Sequence, residues 1–182
     1  MTTNTYNLDT THSAIGFSVR HLLFAKVRGR FAQWSGTLEL NEADLTHSRV
    51  QVSIDATSID TGTADRDQHL KSPDFFDVAQ FPTLSFKSSR IEALDGDRYR
   101  VHGDLTIRDT TREVVLESEF SGKAKDPWGN ERVAFTAKAS IDRRDFGLKW
   151  NQALETGGVV VGERVEIELE VQAVKAAATQ AA

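Results

Sequence analysis

The 182-residue chain contains no cysteine. Disulfides, thiolate nucleophiles and Cys-ligated zinc or iron–sulfur centres are thereby excluded. It also lacks any apolar run approaching the roughly 18–20 residues needed to span a bilayer. The opening stretch, MTTNTYNLDTTHSAIGFSV, has no basic n-region, no apolar h-region and no small-residue cleavage site, so a cytoplasmic protein without a signal peptide is expected. A basic surplus is missing too. Lys and Arg number 22 against 27 Asp and Glu, a formal charge of −5, which argues against a nucleic-acid partner. There is no Gly-x-Ser-x-Gly elbow, no HExxH helix and no His-x-His pair. The five histidines (His12, His21, His47, His69, His102) are scattered, so neither a triad nor a metal set can be read from spacing.

What the chain does have is a period of two. Ile15, Phe17, Val19 and His21 share one face of a run, with Gly16, Ser18 and Arg20 on the other. A second run begins near Val27, Gly29 and Phe31 and closes at Leu38 and Leu40, with a slip between Phe31 and Trp34 that predicts a bulge. Further runs carry Val50 to Ala56, Leu84 and Phe86, Tyr99 to Ile107, Val114 to Phe120, Val133 to Ile141 and Val165 to Ala173. Such alternation belongs to antiparallel sheet. Asp95-Gly96 and Asp126-Pro127-Trp128-Gly129-Asn130 supply the turn chemistry between neighbours. The pattern predicts an all-β fold, an antiparallel up-and-down barrel of about eight strands, because closure removes the sheet edges. A flat sandwich is the alternative. Residues 1–175 form a single domain, with 176–182 a flexible tail.

Two stretches break the rhythm, 62–78 and 143–158, and both are placed over one mouth of the barrel as short helices and loop. Inside, Val101, Gly103, Ala137 and Ala139 are small, which favours a cavity over a solid core. An eight-residue strand spans roughly 26 Å, enough to house a long hydrocarbon lengthwise.

The densest chemistry is DRDQHLKSPDFFD, residues 65–77. A capped surface helix explains part of it: Thr63 as cap, Asp65 and Asp67 in the first turn, and an Asp67–Lys71 pair one turn apart. That does not account for Arg66, His69 and Leu70 on one face, or for Phe75 and Phe76 after Pro73. A guanidinium and an imidazole beside apolar anchors suit the polar head of a greasy ligand. Capped helix and pocket rim stay open as rival accounts on these residues alone.

Several motifs in order resemble the YceI-like family, also described as polyisoprenoid-binding or lipocalin-like proteins. They are LDTTHSAIGFSVRH (8–21), VRGRFAQWSGTL (27–38), SIDTGTADRDQHLKSPDFFD (58–77), FPTLSF (81–86), VHGDLTIRDTTREVVL (101–116) and IDRRDFGL (141–148). The resemblance implies a lipocalin-like barrel enclosing a long apolar pocket. It implies binding of a polyisoprenoid, isoprenoid quinone or fatty-acid derivative for transport, storage or sequestration, with no catalytic residues, no metal and no cofactor. It also implies a small-molecule lipid partner, no stable membrane insertion and a homodimer. Many relatives are periplasmic, at odds with the cytoplasmic expectation above. The ligand-binding set it points to is Phe17, Val19, His21, Arg66, His69, Leu70, Phe75, Phe76, Arg143 and Asp145. For Arg143 and Asp145 an ion pair, Arg143–Asp145 or Arg66–Asp145, is the competing structural role, and Asp67, Asp74 and His12 read as structural. Asp109 and Glu113 stand where the family commonly has Gly and Pro, which predicts an altered turn, and Tyr6 replaces a frequent Trp. An enzyme acting on such lipids with His21 or His69 as acid/base is the alternative, and a purely structural protein a third.

Overall fold

A computed structural model describes residues 2–155 and 159–178. Its strands are β1 (Thr3–Leu8), β2 (Ala14–His21), β3 (Ala25–Phe31), β4 (Trp34–Asn41), β5 (Arg49–Asp55), β6 (Ile59–Asp60), β7 (Thr83–Ala93), β8 (Arg98–Ile107), β9 (Thr110–Lys125), β10 (Glu131–Asp142) and β11 (Val161–Lys175). All pair antiparallel. Three pairs of short strands act as single broken ones. β1 pairs with β4 while β2 pairs with β3; β4 pairs with β5 while β3 pairs with β6. β11 closes the ring by pairing with β2 along its first part and with β1 along its last. Eight strand positions therefore run round the barrel in sequence order, each beside its chain neighbour.

The predicted bulge at 31–34 is a full break: Ala32 and Gln33 leave the ladder, bonding instead to Ser58 and Asp55. The sequence pattern missed β1, because Thr3–Leu8 alternates Thr and Asn with few apolar positions. The chain stays tied beyond β11, since the Ala176 amide donates to the Thr5 carbonyl at 2.8 Å. The predicted tail thus loses its first residue, and residues 179–182 lie outside those described.

Inward and outward residues alternate as the period-two pattern requires. On β10 Val133, Ala137 and Ala139 are buried while Lys138 and Ser140 face water. On β11 Glu166, Glu168 and Glu170 are exposed between Val165, Ile167 and Leu169. A charged exterior and an apolar interior are the reverse of a membrane-spanning barrel. No helix among the described residues is long and apolar enough to cross a membrane.

Two apolar clusters hold the ends. The floor cluster is Tyr6, Leu38, Leu40, Val133 and Ala173. There the Tyr6 hydroxyl donates to the Glu42 carboxylate at 2.8 Å, and burial with that neighbouring charge raises its pKa. The larger cluster, including Phe31, Ile59, Leu84, Ile107, Phe146 and Leu148, lies toward the opposite mouth. Each such side chain contributes about 1.5–3 kcal/mol when fully buried.

Candidate functional site

Between the clusters the barrel is hollow. A cavity of about 470 Å³ runs from Leu8, Leu40 and Leu45 near the floor to His21, Trp150 and Val160 at the mouth. That volume falls within the range of small-molecule sites, about 300–1,000 Å³. The inward residues of β2 and β11, such as Ile15, Phe17, Val165 and Ile167, remain partly accessible because they border this space.

The small residues do not all create it. A Cβ on Gly103 would fall 2.7 Å from the Lys87 carbonyl and overlap the edge of the Phe86 ring, so that glycine makes room for Phe86 rather than for a ligand. Gly29 does the same for Phe17, whose ring tip would overlap a Cβ there. Val101 and Ala137 do line the cavity.

Both strand interruptions cover the same mouth, as expected. The first contains α1 (Ala64–Lys71), shorter than 62–78, followed by turns through Phe76. Thr63 occupies the cap position but makes no side-chain cap bond. Asp67 reaches back to accept from the Thr61 amide at 2.9 Å and the Thr61 hydroxyl at 2.5 Å, in place of the predicted pair with Lys71. The second interruption is a 3₁₀ turn, Arg143–Phe146, closed by Gly147 at φ 79°, and then extended chain. Its glycine-rich part, 156–158, lies outside the described residues. The two segments meet through aromatic rings. Trp150 packs edge-on to His69 at 4.6 Å and tilted to Phe75 at 5.5 Å, and His69 meets Phe75 at 5.1 Å. Phe76 reaches across to Phe31 at 5.9 Å.

Nine of the ten residues singled out from the sequence line this cavity: Phe17, Val19, His21, Arg66, His69, Leu70, Phe75, Phe76 and Arg143. Asp145 does not. It sits exposed in the first turn of the 3₁₀ segment and pairs with neither Arg143 nor Arg66. Arg143 instead is 4 % exposed and donates to four backbone carbonyls, of Leu148 at 2.5 Å, Gly162 at 2.8 Å, Trp150 at 3.0 Å and Val161 at 3.4 Å. Burial pushes its pKa down, with Glu163 and Asp142 pulling it back up. It staples the mouth loop to β11. Arg66 likewise gives its Nε–H to the Thr61 hydroxyl at 2.7 Å and an Nη2–H to the Thr61 carbonyl at 2.8 Å. His69 Nε2 lies 2.8 Å from the Asp74 carboxylate, at the rim. The His21 imidazole, at the end of β2, makes no hydrogen bond or ion pair among the described residues.

His12 is a structural hydrogen-bonder: its Nδ1 lies 2.8 Å from Asp9, which also accepts from Arg132 at 2.7 Å. Asp109 sits in the β8–β9 turn, beside Arg108 at φ 56°. Glu113 does not share that turn. It lies within β9 opposite Asp104, and its carboxylate approaches His102. No group of three or more His, Asp or Glu among the described residues is placed to hold a metal ion.

An eight-position antiparallel barrel, hollow and apolar inside and roofed at one mouth by aromatic and cationic residues, defines a small-molecule-binding barrel class. The YceI-like domain model matches residues 6–173, and the chain belongs to that family. It is 38% identical over 164 residues to a UPF0312 protein of Staphylococcus epidermidis, covering 90% of this chain and 93% of that one. The crystal structure of the Campylobacter jejuni YCEI protein superposes with a TM-score of 0.75 at 27% identity, over 87% of this chain and 90% of the other. A polyisoprenoid binding domain from Saccharophagus degradans shares the fold, with a TM-score of 0.70 at 16% identity over 94% and 98% of the two chains.

Trp150, Thr61 and the β2–β3 turn escaped the sequence argument. An aromatic residue inside a strandless stretch next to the RRDFG motif was the one available signal for Trp150.

Proposed function

We propose that the protein binds a long-chain amphiphile, a polyisoprenoid, isoprenoid quinone or fatty-acid derivative, with its tail along the barrel axis and its head at the mouth, for transport, storage or sequestration. The observation that carries this is the apolar cavity running the length of the barrel, closed at the floor by Tyr6, Leu38 and Leu40 and lined at the other end by His21 and Trp150. Each CH₂ moved from water into such a space contributes about 0.8 kcal/mol before ordering costs. The likeness to the polyisoprenoid binding domain of Saccharophagus degradans supports the same ligand class.

Head-group recognition falls to His21 and His69, with Arg66 contributing the guanidinium N–H groups not held by Thr61. Arg143 serves mainly to hold the roof, and Asp145 drops out of the set.

The test fills the cavity. Ala137 lines it and is buried, so Ala137→Phe puts a ring into the path of the tail. A fluorescent long-chain fatty-acid probe should bind the parent and fail to bind the folded variant. Equal binding by both would place the probe outside the barrel and contradict the reading.

One contact favours a second reading, catalysis on the bound lipid: His69 has a carboxylate partner in Asp74. Both side chains are well exposed, 39% and 50%, which is a poor setting for an oriented acid/base pair. Turnover of a lipid or quinone that is lost in His69→Ala would be needed to support it.

A further inference from the structure

The turn joining β2 to β3 is built in a way that folding alone does not require. Its central residues are Leu22 and Leu23, both in the left-handed region with φ of 54° and 67°. The Phe24 amide donates back to the His21 carbonyl at 3.3 Å, closing the turn. A hairpin turn with two positive φ values is normally made by Asn-Gly or Asp-Gly, since a branched side chain there is strained. This turn carries leucines instead and presents them to water: Leu22 is 39%, Leu23 64% and Phe24 92% exposed. With Trp128 at the other end of the barrel, these are the large apolar side chains most open to solvent among the described residues.

Charge distribution around the tip is equally one-sided. From Thr10 to Leu38 the sequence has no Asp or Glu, while Arg20, Lys26, Arg28 and Arg30 all fall within it. Arg20 pairs across the hairpin with Lys26, and Ser18 with Arg28, so these cations share the outward face of the two strands. Arg20, Lys26 and Arg28 are exposed and have no ion-pair partner among the described residues. Of the acids on flanking strands, Asp60 is held by Arg30 at 3.4 Å and Glu163 by Arg144 at 3.0 Å. Glu166 and Glu168 face Ser18 and Gly16, farther from the tip. In a chain of net charge −5 this is a local reversal of sign.

The tip also borders the cavity mouth. Its Leu22 amide donates to the Val160 carbonyl at 3.0 Å, and Val19, His21, Val27, Val160 and Trp150 all line the cavity.

We infer that the β2–β3 tip is a membrane-docking element: Leu22, Leu23 and Phe24 dip into the headgroup boundary of an anionic bilayer while Arg20, Lys26 and Arg28 contact its phosphates. An apolar wedge ringed by unpaired cations is complementary to an anionic lipid surface. The docking brings the open mouth against the bilayer, so that a chain passes between membrane and barrel without crossing water. That purpose rests on the lipid-binding reading above; the contact itself is measured separately.

The experiment is co-sedimentation of the full chain with vesicles of phosphatidylethanolamine and phosphatidylglycerol, and with vesicles of phosphatidylcholine alone. Binding of a fluorescent long-chain fatty-acid probe is followed in the absence of vesicles. Wild-type protein should sediment with the anionic vesicles and much less with the neutral ones. Phe24→Ser is expected to lower that partition by about tenfold, and Lys26→Gln and Arg28→Gln each by about fivefold. The double variant Leu22→Asn/Leu23→Gly supplies the residues this turn geometry prefers, so it should melt no lower than the parent while losing vesicle binding. Probe binding should survive in every tip variant.

Wild-type protein left in the supernatant, or tip variants that bind vesicles as well as the parent, would overturn the inference. A dimer seen by light scattering that Phe24→Ser dissolves, with no vesicle binding, would also overturn it and give the tip to a second copy of the chain. Tip-dependent vesicle binding by a protein that takes up no probe would establish the docking contact and contradict the cavity reading instead.

Discussion

His69 and Trp150, from the two segments that interrupt the strands, meet edge to face with ring centroids 4.6 Å apart. This contact, extended by Phe75, joins α1 to the β10–β11 loop and makes one roof of two pieces. Neither piece has a core of its own. Edge-to-face pairs contribute about 0.5–1.5 kcal/mol beyond burial, so the junction between the two pieces rests on a few such contacts and opens more easily than the barrel.

Trp150→Ala should therefore loosen the roof without unfolding the protein. Amide exchange across residues 64–76 is expected to accelerate by about tenfold, the equivalent of roughly 1.4 kcal/mol, while strands β8 to β10 keep their protection. Unchanged exchange in α1 would show that the roof does not depend on this contact.

Arg143 is a different case, because its role is structural and its partners are backbone. Arg143→Met takes this donor from the carbonyls of Leu148, Trp150 and Gly162, at about 1–3 kcal/mol for each group that water cannot reach, while the Val161 carbonyl keeps the Asn151 Nδ2–H at 2.7 Å. Urea unfolding should show a loss of about 3 kcal/mol or more. Arg143→Lys should recover little, since one ammonium cannot reproduce a planar fork of donors. A loss below about 1 kcal/mol would mean that the loop finds other partners.

The glycines facing Phe17 and Phe86 separate fold from function. Gly103→Ala meets the Lys87 carbonyl, which is backbone and cannot turn away, so a destabilisation of about 1–3 kcal/mol is expected. Gly29→Ala meets the Phe17 ring first, a side chain that can swing into the cavity. Its stability should change less, while affinity for a long-chain probe falls. Thermal melts and probe titrations of the two variants check this, and the reverse ranking would contradict it.

The strand pattern was legible because one face of each strand is apolar and the other wet, a contrast that period two displays directly. What the same pattern could not show is whether the inward face meets other side chains or empty space. Gly103 illustrates the point: its small size read as room for a ligand, whereas the ring of Phe86, two positions before the cross-strand partner Ser88, fills it. The roof residues Arg66, His69, Phe75 and Phe76 could be found from local clustering and the family resemblance. Their partners could not, since Thr61, Trp150 and the carbonyls around Arg143 come together only when the barrel closes. Asp145 was misjudged for the same reason, as a guanidinium beside a carboxylate in sequence found better acceptors in backbone.

Acid should weaken the floor end. Arg132 bridges Asp9 at 2.7 Å and Asp126 at 2.9 Å. The hydrogen bond from Arg132, opposed by desolvation and aided by His12 and Thr11, lowers the Asp9 pKa from 3.8 to about 2. Asp126 is also held at about 2, where desolvation is outweighed by Arg132 and the amides of its own turn. A carboxylate with a depressed folded pKa adds stability that is complete above its unfolded value and is lost as pH falls toward the folded one. Wild-type stability should therefore drop between about pH 4 and pH 2, and Arg132→Met should flatten that slope by removing the shared partner. Parallel acid-unfolding curves for the two proteins would contradict the assignment.

The central claim is that the hollow barrel holds a lipid, and native mass spectrometry of freshly purified protein, followed by organic extraction, tests it most directly. The account predicts a bound mass that disappears on extraction, is identified as a long-chain or polyprenyl amphiphile, and is missing from Ala137→Phe. A clean apo mass for the wild-type chain, unchanged after incubation with polyprenyl lipids and fatty-acid derivatives, would contradict it.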